Sequence, residues 1–464
     1  MKYVSTRGAS PALSFAETTM AGLAPDGGLY LPEEWPQLSP ADIAGFAGQR
    51  YQDVAFAIMQ PFVAGDIPDE DLRSLIETSY ARFNHTAIAP LKQLSHQRWL
   101  LELFHGPTLA FKDFALQFLG HVFEYLLERS GTHLTIIGAT SGDTGSAAID
   151  ALAGREHVDI FMLHPDERVS PVQRRQMTTV QAPNVFNLAI DGTFDDAQAL
   201  VKQGFADQQM RDKLNLSAVN SINWTRVMAQ IVYYFYAAAQ LGAPGKAVSF
   251  SVPTGNFGDI FAGYCAHCMG LPIDRLIVAT NRNDILHRAI QAGDYSAKGV
   301  MPTISPSMDI QVASNFERLL YDCAGQDGRM IGQMMAQFND TKALSIPADV
   351  LDQITAIFTS GCADEDTTAA QIRSTLEETG ELVDPHTAVG LAAAQAREGS
   401  VDGPMVILAT AHPGKFRAAV ERACGTRPSL PAHMAGLFDR EERYEKLAND
   451  FDALRAYVFE KRGV

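Results

Sequence analysis

Leu134-Thr135-Ile136-Ile137-Gly138-Ala139-Thr140 runs directly into Ser141-Gly142-Asp143-Thr144-Gly145-Ser146. An apolar run of strand length meets a cluster of small and hydroxyl residues, and a helical pattern follows over 146–154. The pairing recurs. Apolar runs at 158–163, 186–190, 217–219, 247–252, 275–279 and 405–409 are each followed by an amphipathic stretch, at 171–180, 195–205, 225–241, 257–269, 284–292 and 415–424. Strands apolar on both faces and separated by helices indicate parallel sheets covered on each side, so the expected class is α/β. Roughly the first ninety residues lack this alternation, mixing turns such as Pro25-Asp26-Gly27-Gly28 with a helical pattern over 69–83. A Gly/Pro/Ser-bearing stretch near 296–307 breaks the rhythm, and a helical insertion is expected over 316–380. The charged tail over 439–462 reads as a solvated helical extension.

The chain has 464 residues, 46% hydrophobic and 20% charged, enough for two or three domains with large cores. Its formal net charge of −17 disfavours a nucleic-acid-coating or anionic-membrane role, because those surfaces reward positive charge. No run is apolar and long enough to span a bilayer, and the first twenty residues lack a secretory pattern, so a soluble, cytoplasmic protein is expected. The cysteines at 265, 268, 323, 362 and 424 are odd in number and scattered, which argues against a disulfide framework. Cys265-Ala266-His267-Cys268 has no second pair to complete a tetrahedral zinc site, so no metal is expected.

Three segments could carry chemistry. The loop 138–146 joins a strand to a helix with glycines and hydroxyls beyond the needs of a turn, and backbone N–H groups there can approach an anion. It lacks the lysine of a nucleotide P-loop. Pro253-Thr254-Gly255-Asn256-Phe257-Gly258-Asp259 offers a second such nest, and two of them suggest a ligand at the carboxyl edge of a parallel sheet. Lys112 lies among Leu109, Phe111, Phe114 and Leu116. Desolvation there would favour a neutral amine able to condense with an aldehyde, whereas a solvated helix face beside Asp113 would leave an ordinary ammonium. Together, a reactive lysine and an anion nest fit pyridoxal 5′-phosphate (PLP), whose aldehyde needs an amine and whose phosphate needs a helix N-terminus.

These motifs resemble those of the threonine synthase family, PLP enzymes of the fold type II (tryptophan synthase β-like) group. The resemblance spans nearly the whole chain. It begins at Tyr3-Val4-Ser5-Thr6-Arg7-Gly8 and 22–30, and it includes the Lys112 segment, Ser141-Gly142-Asp143-Thr144-Gly145 and Asn220-Ser221-Ile222-Asn223-Trp224-Thr225-Arg226. It ends with 254–258 and Thr410-Ala411-His412-Pro413-Gly414-Lys415-Phe416. It implies two parallel-sheet lobes plus an N-terminal domain, and conversion of O-phospho-L-homoserine and water to L-threonine and phosphate by γ-elimination and β-addition. By resemblance Lys112 holds PLP and shuttles protons, Gly255, Asn256, Phe257 and Gly258 cradle the cofactor phosphate, and Thr410 meets the pyridine nitrogen. Asp143 stands where many fold type II enzymes have an asparagine beside the PLP 3′-oxygen. Thr144, Asn220, Ser221, Arg226 and Asn256 match positions for the substrate phosphate, and Thr140 and Ser141 match those for its carboxylate.

Read without the resemblance, Asn220 and Asn223 could simply cap the helix near Trp224, and Arg226 could lie on its surface. His105, His386 and His412 suit structural, hydrogen-bonded roles. The domain scheme implied is an N-terminal domain over 1–95, a large PLP-binding lobe over 96–129 and 215–425, a small lobe over 130–214 and an extension over 426–464. Oligomeric state stays open. Rival readings are a fold type II dehydratase, a phospholyase releasing 2-oxobutanoate, a non-catalytic interaction protein that keeps the fold and, more distantly, a nucleotide-binding ATPase.

Overall fold

The computed structural model describes residues 1–166, 169–397, 399 and 403–464. Strands form where the apolar runs lie, at Leu134–Ala139, Val158–Pro165, Val185–Ile190, Val248–Pro253, Ile273–Thr280 and Met405–Ala409. The run at 217–219 yields a shorter strand, Leu216–Ser217. The strands segregate into two main sheets. One has the order Phe358–Cys362, Ile273–Thr280, Val248–Pro253, Met405–Ala409, Arg98–Glu102, Leu91–Gln93. It is parallel except for its last pair. The other runs Glu445–Leu447, Val185–Ile190, Val158–Pro165, Leu134–Ala139, Leu216–Ser217 and is parallel throughout. The class is therefore α/β, as the both-faced apolar runs require.

The chain divides into two compact units. The unit holding the six-stranded sheet comprises Met1–Phe111 and Ser221–Ser429, and the unit holding the five-stranded sheet comprises Lys112–Asn220 and Leu430–Val464. These units do not coincide with the expected boundaries at 95, 129, 214 and 425. The helix Lys112–Ser130 packs on the helix Asp143–Leu152 and so groups with the smaller sheet. Residues 1–95 group with the larger one. There Tyr3, Trp35 and Phe62 place their rings 6.0, 6.1 and 5.7 Å from Trp224, which is fully buried on the helix Trp224–Gln240.

Two expectations need correction. The stretch 316–380 is not purely helical, because Phe358–Cys362 pairs with Ile273–Thr280 as the edge strand of the six-stranded sheet. Its Phe-Thr-Ser-Gly-Cys sequence has too few apolar residues to stand out beside the preceding helix Ala348–Ile357. The tail is not a solvated extension either. Glu445–Leu447 adds an edge strand to the five-stranded sheet, and Leu454 and Val458 of the helix Phe451–Arg462 are fully buried in the core with Ile137, Phe161 and Leu188. Burial of that kind contributes roughly 1.5–3 kcal/mol per large aliphatic side chain. Charge on the exposed face of the helix had masked the two apolar positions spaced four apart. Among the described residues no helix is long and apolar enough to cross a membrane, and no group of His, Cys, Asp and Glu could hold a metal ion.

Candidate active site

In the five-stranded unit, the strand Leu134–Ala139 ends at Thr140, whose Oγ1 accepts the N–H groups of Gly142 and Gly145, each at 2.9 Å. One buried hydroxyl thus folds the loop around itself. Gly142 has φ +144°, and a Cβ there would sit 2.5 Å from the Gln173 side chain; a Cβ on Gly145 would sit 2.3 Å from Thr140 Cγ2. Neither position admits another residue without movement. Asp143 opens the helix Asp143–Leu152 and is buried. Its Oδ2 accepts from Lys112 Nζ at 3.3 Å and its Oδ1 from Gln173 Nε2 at 2.8 Å. Lys112 is itself the first residue of a helix and only 9% exposed, and its neighbour Asp113 is fully buried, so the solvated-face reading does not hold. The Lys112 amine thus lies at a helix N-terminus with the Asp143 carboxylate within hydrogen-bond reach. Ser141 and Asn220 are exposed and Thr144 is half-buried.

In the six-stranded unit, the strand Val248–Pro253 leads to Thr254, Gly255, Asn256 and Phe257 before the helix Gly258–Cys268. Phe257 is left-handed at φ +65°, which turns successive N–H groups to one side. Among the described residues, the N–H groups of Gly255, Asn256, Phe257 and Gly258 donate to no backbone carbonyl outside helices and strands. Donors left open at a helix N-terminus suit a phosphate, so the residues fit the cofactor group they were expected to hold. A Cβ on Gly255 would lie 2.5 Å from the Ser307 carbonyl oxygen. Ser307 cannot easily yield, because its N–H donates to His386 Nε2 at 3.2 Å and His386 Nδ1 pairs with buried Asp384 at 2.7 Å. Gly255→Ala should therefore weaken PLP binding roughly tenfold, from about 1–3 kcal/mol of overpacking. Absorbance titration of the apoprotein reads this, and an unchanged Kd would show that the nest tolerates the methyl.

Thr410 is buried just past the strand Met405–Ala409, and its carbonyl accepts the Phe111 N–H at 2.9 Å. Arg226 sits in the first turn of the helix Trp224–Gln240 and is 3% exposed, not on the surface. Burial pulls its guanidinium down to about 10. A buried cation beside a positive helix end carries two electrostatic penalties that one bound anion would relieve. Asn223, and not Asn220, caps this helix, accepting from Thr225 N at 3.0 Å. Ser221 is half-buried. His105 pairs with Glu102 at 2.7 Å and His412 Nδ1 accepts the Gly414 N–H at 3.0 Å, both in structural roles.

The family models described as "Threonine synthase N terminus", "Pyridoxal-phosphate dependent enzyme" and "Threonine synthase, C-terminal" match residues 2–80, 83–345 and 387–458. A threonine synthase of Pseudomonas aeruginosa is 52% identical over 459 residues, covering 99% of this chain and 98% of that one. The chain belongs to the threonine synthase family. In the same family, the crystal structure of PLP-bound threonine synthase from Brucella melitensis matches with a TM-score of 0.97 at 51% identity, covering 99% of each chain. Threonine synthase from yeast matches with a TM-score of 0.94 at 39% identity, covering 100% of this chain and 99% of that one.

Motifs of the threonine synthase family point to the loops but not to what braces them. Gln173, which holds Asp143, lies in a helix whose sequence carries no chemical signature. Lys415, at the start of the 415–424 stretch, is 1% exposed and its Nζ donates to the Thr108 carbonyl at 2.8 Å. A lysine directly after Pro-Gly gives no sequence sign of burial.

Proposed function

We propose that the chain converts O-phospho-L-homoserine and water to L-threonine and phosphate, with PLP as cofactor. The observation that carries this reading is the buried Lys112 amine held 3.3 Å from Asp143, next to a loop folded around Thr140. PLP, when bound, supplies an aldehyde for an amine and an electron-withdrawing ring that acidifies protons near the substrate's amino group. Lys112 provides the amine and then takes and returns protons at the substrate's Cα and Cβ, a task that suits a positioned base with few competing waters. Asp143 and Gln173 orient that amine. The Gly255, Asn256, Phe257 and Gly258 N–H groups bind the cofactor phosphate, and Thr410 meets the ring nitrogen.

Arg226, with Thr144, Asn220, Ser221 and Asn256, binds the substrate phosphate that leaves Cγ; a guanidinium fork suits a dianion. Thr140 and Ser141 receive the substrate carboxylate. Because Thr140 Oγ1 already accepts two N–H groups, it can offer only its proton, which a carboxylate accepts. The domain scheme with a small lobe near 130–214 belongs to the same reading. So does a cytoplasmic location, a compartment in which free thiols such as buried Cys265 remain reduced.

The deciding experiment gives PLP-loaded protein O-phospho-L-homoserine and resolves products by mass spectrometry. Threonine and phosphate should appear in equal amounts. Phosphate accompanied by 2-oxobutanoate would instead make the enzyme a phospholyase, and no phosphate release would end the proposal.

A further inference from the structure

Asn315 and Arg318 are both fully buried, and neither belongs to a recognised motif. Asn315 occupies the N-cap position of the helix Phe316–Cys323, yet its side chain makes no cap hydrogen bond. An asparagine there usually accepts from the first turn, an arrangement worth about 1 kcal/mol. Here the amide points elsewhere. Asn315 Nδ2 donates to the Asn256 carbonyl at 3.0 Å and to the Ser221 carbonyl at 3.2 Å, and its backbone N–H donates to the same Asn256 carbonyl at 3.1 Å. Its Oδ1 accepts from Arg318 Nη1.

Arg318 continues the brace. Its Nη2 donates to the Ile222 carbonyl at 2.6 Å and to the Tyr30 carbonyl at 2.7 Å, and its Nε to Tyr30 again at 2.9 Å. All these hydrogen-bond acceptors are neutral oxygens, so the guanidinium is solvated mainly by backbone and amide dipoles. Burial lowers the guanidinium to about 10. The helix is fixed in turn from the N-terminal segment, where Glu317 accepts from Arg7 Nε and Nη2 at 3.0 Å and from Thr6 Oγ1 at 2.6 Å.

We infer that Asn315, oriented by Arg318, is a positioning residue that locks the Ser221 segment to the Asn256 segment, and so sets the spacing of two phosphate-binding stretches. The inference rests on the reading in which Asn256 serves the cofactor phosphate and Ser221 the substrate phosphate. It makes a distinctive demand: loss of the amide should be felt by ligands in proportion to the phosphate they carry.

The test uses Asn315→Ser, which can replace at most one of the donated bonds, and Arg318→Lys, which keeps the charge but not the fork. For each, PLP Kd is measured by absorbance titration of apoprotein. Steady-state kinetics of the holoenzyme then give KM for O-phospho-L-homoserine, and spectral titration gives the affinity for unphosphorylated L-homoserine. Both phosphate-bearing ligands should weaken about tenfold, as expected for roughly one buried hydrogen bond, while L-homoserine moves less than about twofold. Equal weakening of all three ligands, or insoluble protein from both variants, would mark the brace as merely structural and overturn the inference. Unchanged affinities would overturn it too. Failure of the wild-type protein to bind PLP or the phosphorylated substrate would count against the proposed function instead.

Discussion

Lys112→Ala should lower threonine formation by on the order of 10³-fold or more, because in the proposed mechanism one amine serves both cofactor attachment and proton transfer. The variant should also lose thermal stability. Lys112 Nζ is a hydrogen-bond donor to Asp143 Oδ2, and removing it leaves a 5% exposed carboxylate held by Gln173 without its nearby cation. Breaking a buried pair from one side costs about 3–5 kcal/mol in the general case. The double variant Lys112→Ala/Asp143→Asn separates the two effects. It should regain much of the melting temperature and none of the activity, since the neutral amide no longer needs a cation. Mass-spectrometric detection of threonine, with thermal unfolding alongside, reads both. Activity within tenfold of wild type would remove Lys112 from the chemistry.

Arg226→Met should have the opposite stability signature. The guanidinium is 3% exposed and its pKa is depressed by burial, so an apolar side chain of similar length should leave melting unchanged or raise it. Catalysis should suffer. Truncating a buried charge-assisted contact costs about 2–5 kcal/mol, which here means roughly 30- to 5,000-fold in kcat/KM for O-phospho-L-homoserine. The loss should fall mainly on KM, and inhibition by inorganic phosphate should weaken in parallel. A drop in kcat alone, with phosphate inhibition intact, would place Arg226 away from the leaving group. The contrast matters because Lys112 and Arg226 are both buried cations in first helical turns, yet Lys112 is proposed to act on the cofactor and Arg226 on the substrate phosphate.

Much of the fold could be read from the chain because buried parallel strands need apolar residues on both faces. Val248–Pro253 and Met405–Ala409 are buried along their whole length and were readable for that reason. Phe358–Cys362 and Glu445–Leu447 are edge strands, paired on one side and partly solvated, so their sequences need not be apolar and gave no signal. The same divide runs through the site. Glycines at 142, 145 and 255 are legible because close approach excludes a Cβ, and that constraint is local. Gln173, Asn315 and Arg318 act across 30, up to 94 and up to 288 positions in sequence, and nothing near them announces which carbonyl or carboxylate they will meet. The family resemblance supplied the roles of Thr410 and Asn220, which no local pattern would have assigned.

The edge strand Glu445–Leu447 has a consequence for how the protein is made. Its partner Val185–Ile190 leaves the ribosome about 250 residues earlier. At about 5–20 residues per second, that strand waits on the order of ten to fifty seconds with unpaired N–H and C=O groups along one side. Until then Phe161 and Leu188 also lack the cover of Leu454 and Val458. Synthesis of this chain thus passes through a long interval in which a nearly finished sheet is open to pairing with a neighbour's. Translation speed and chaperone supply should govern its yield more than the stability of the finished fold.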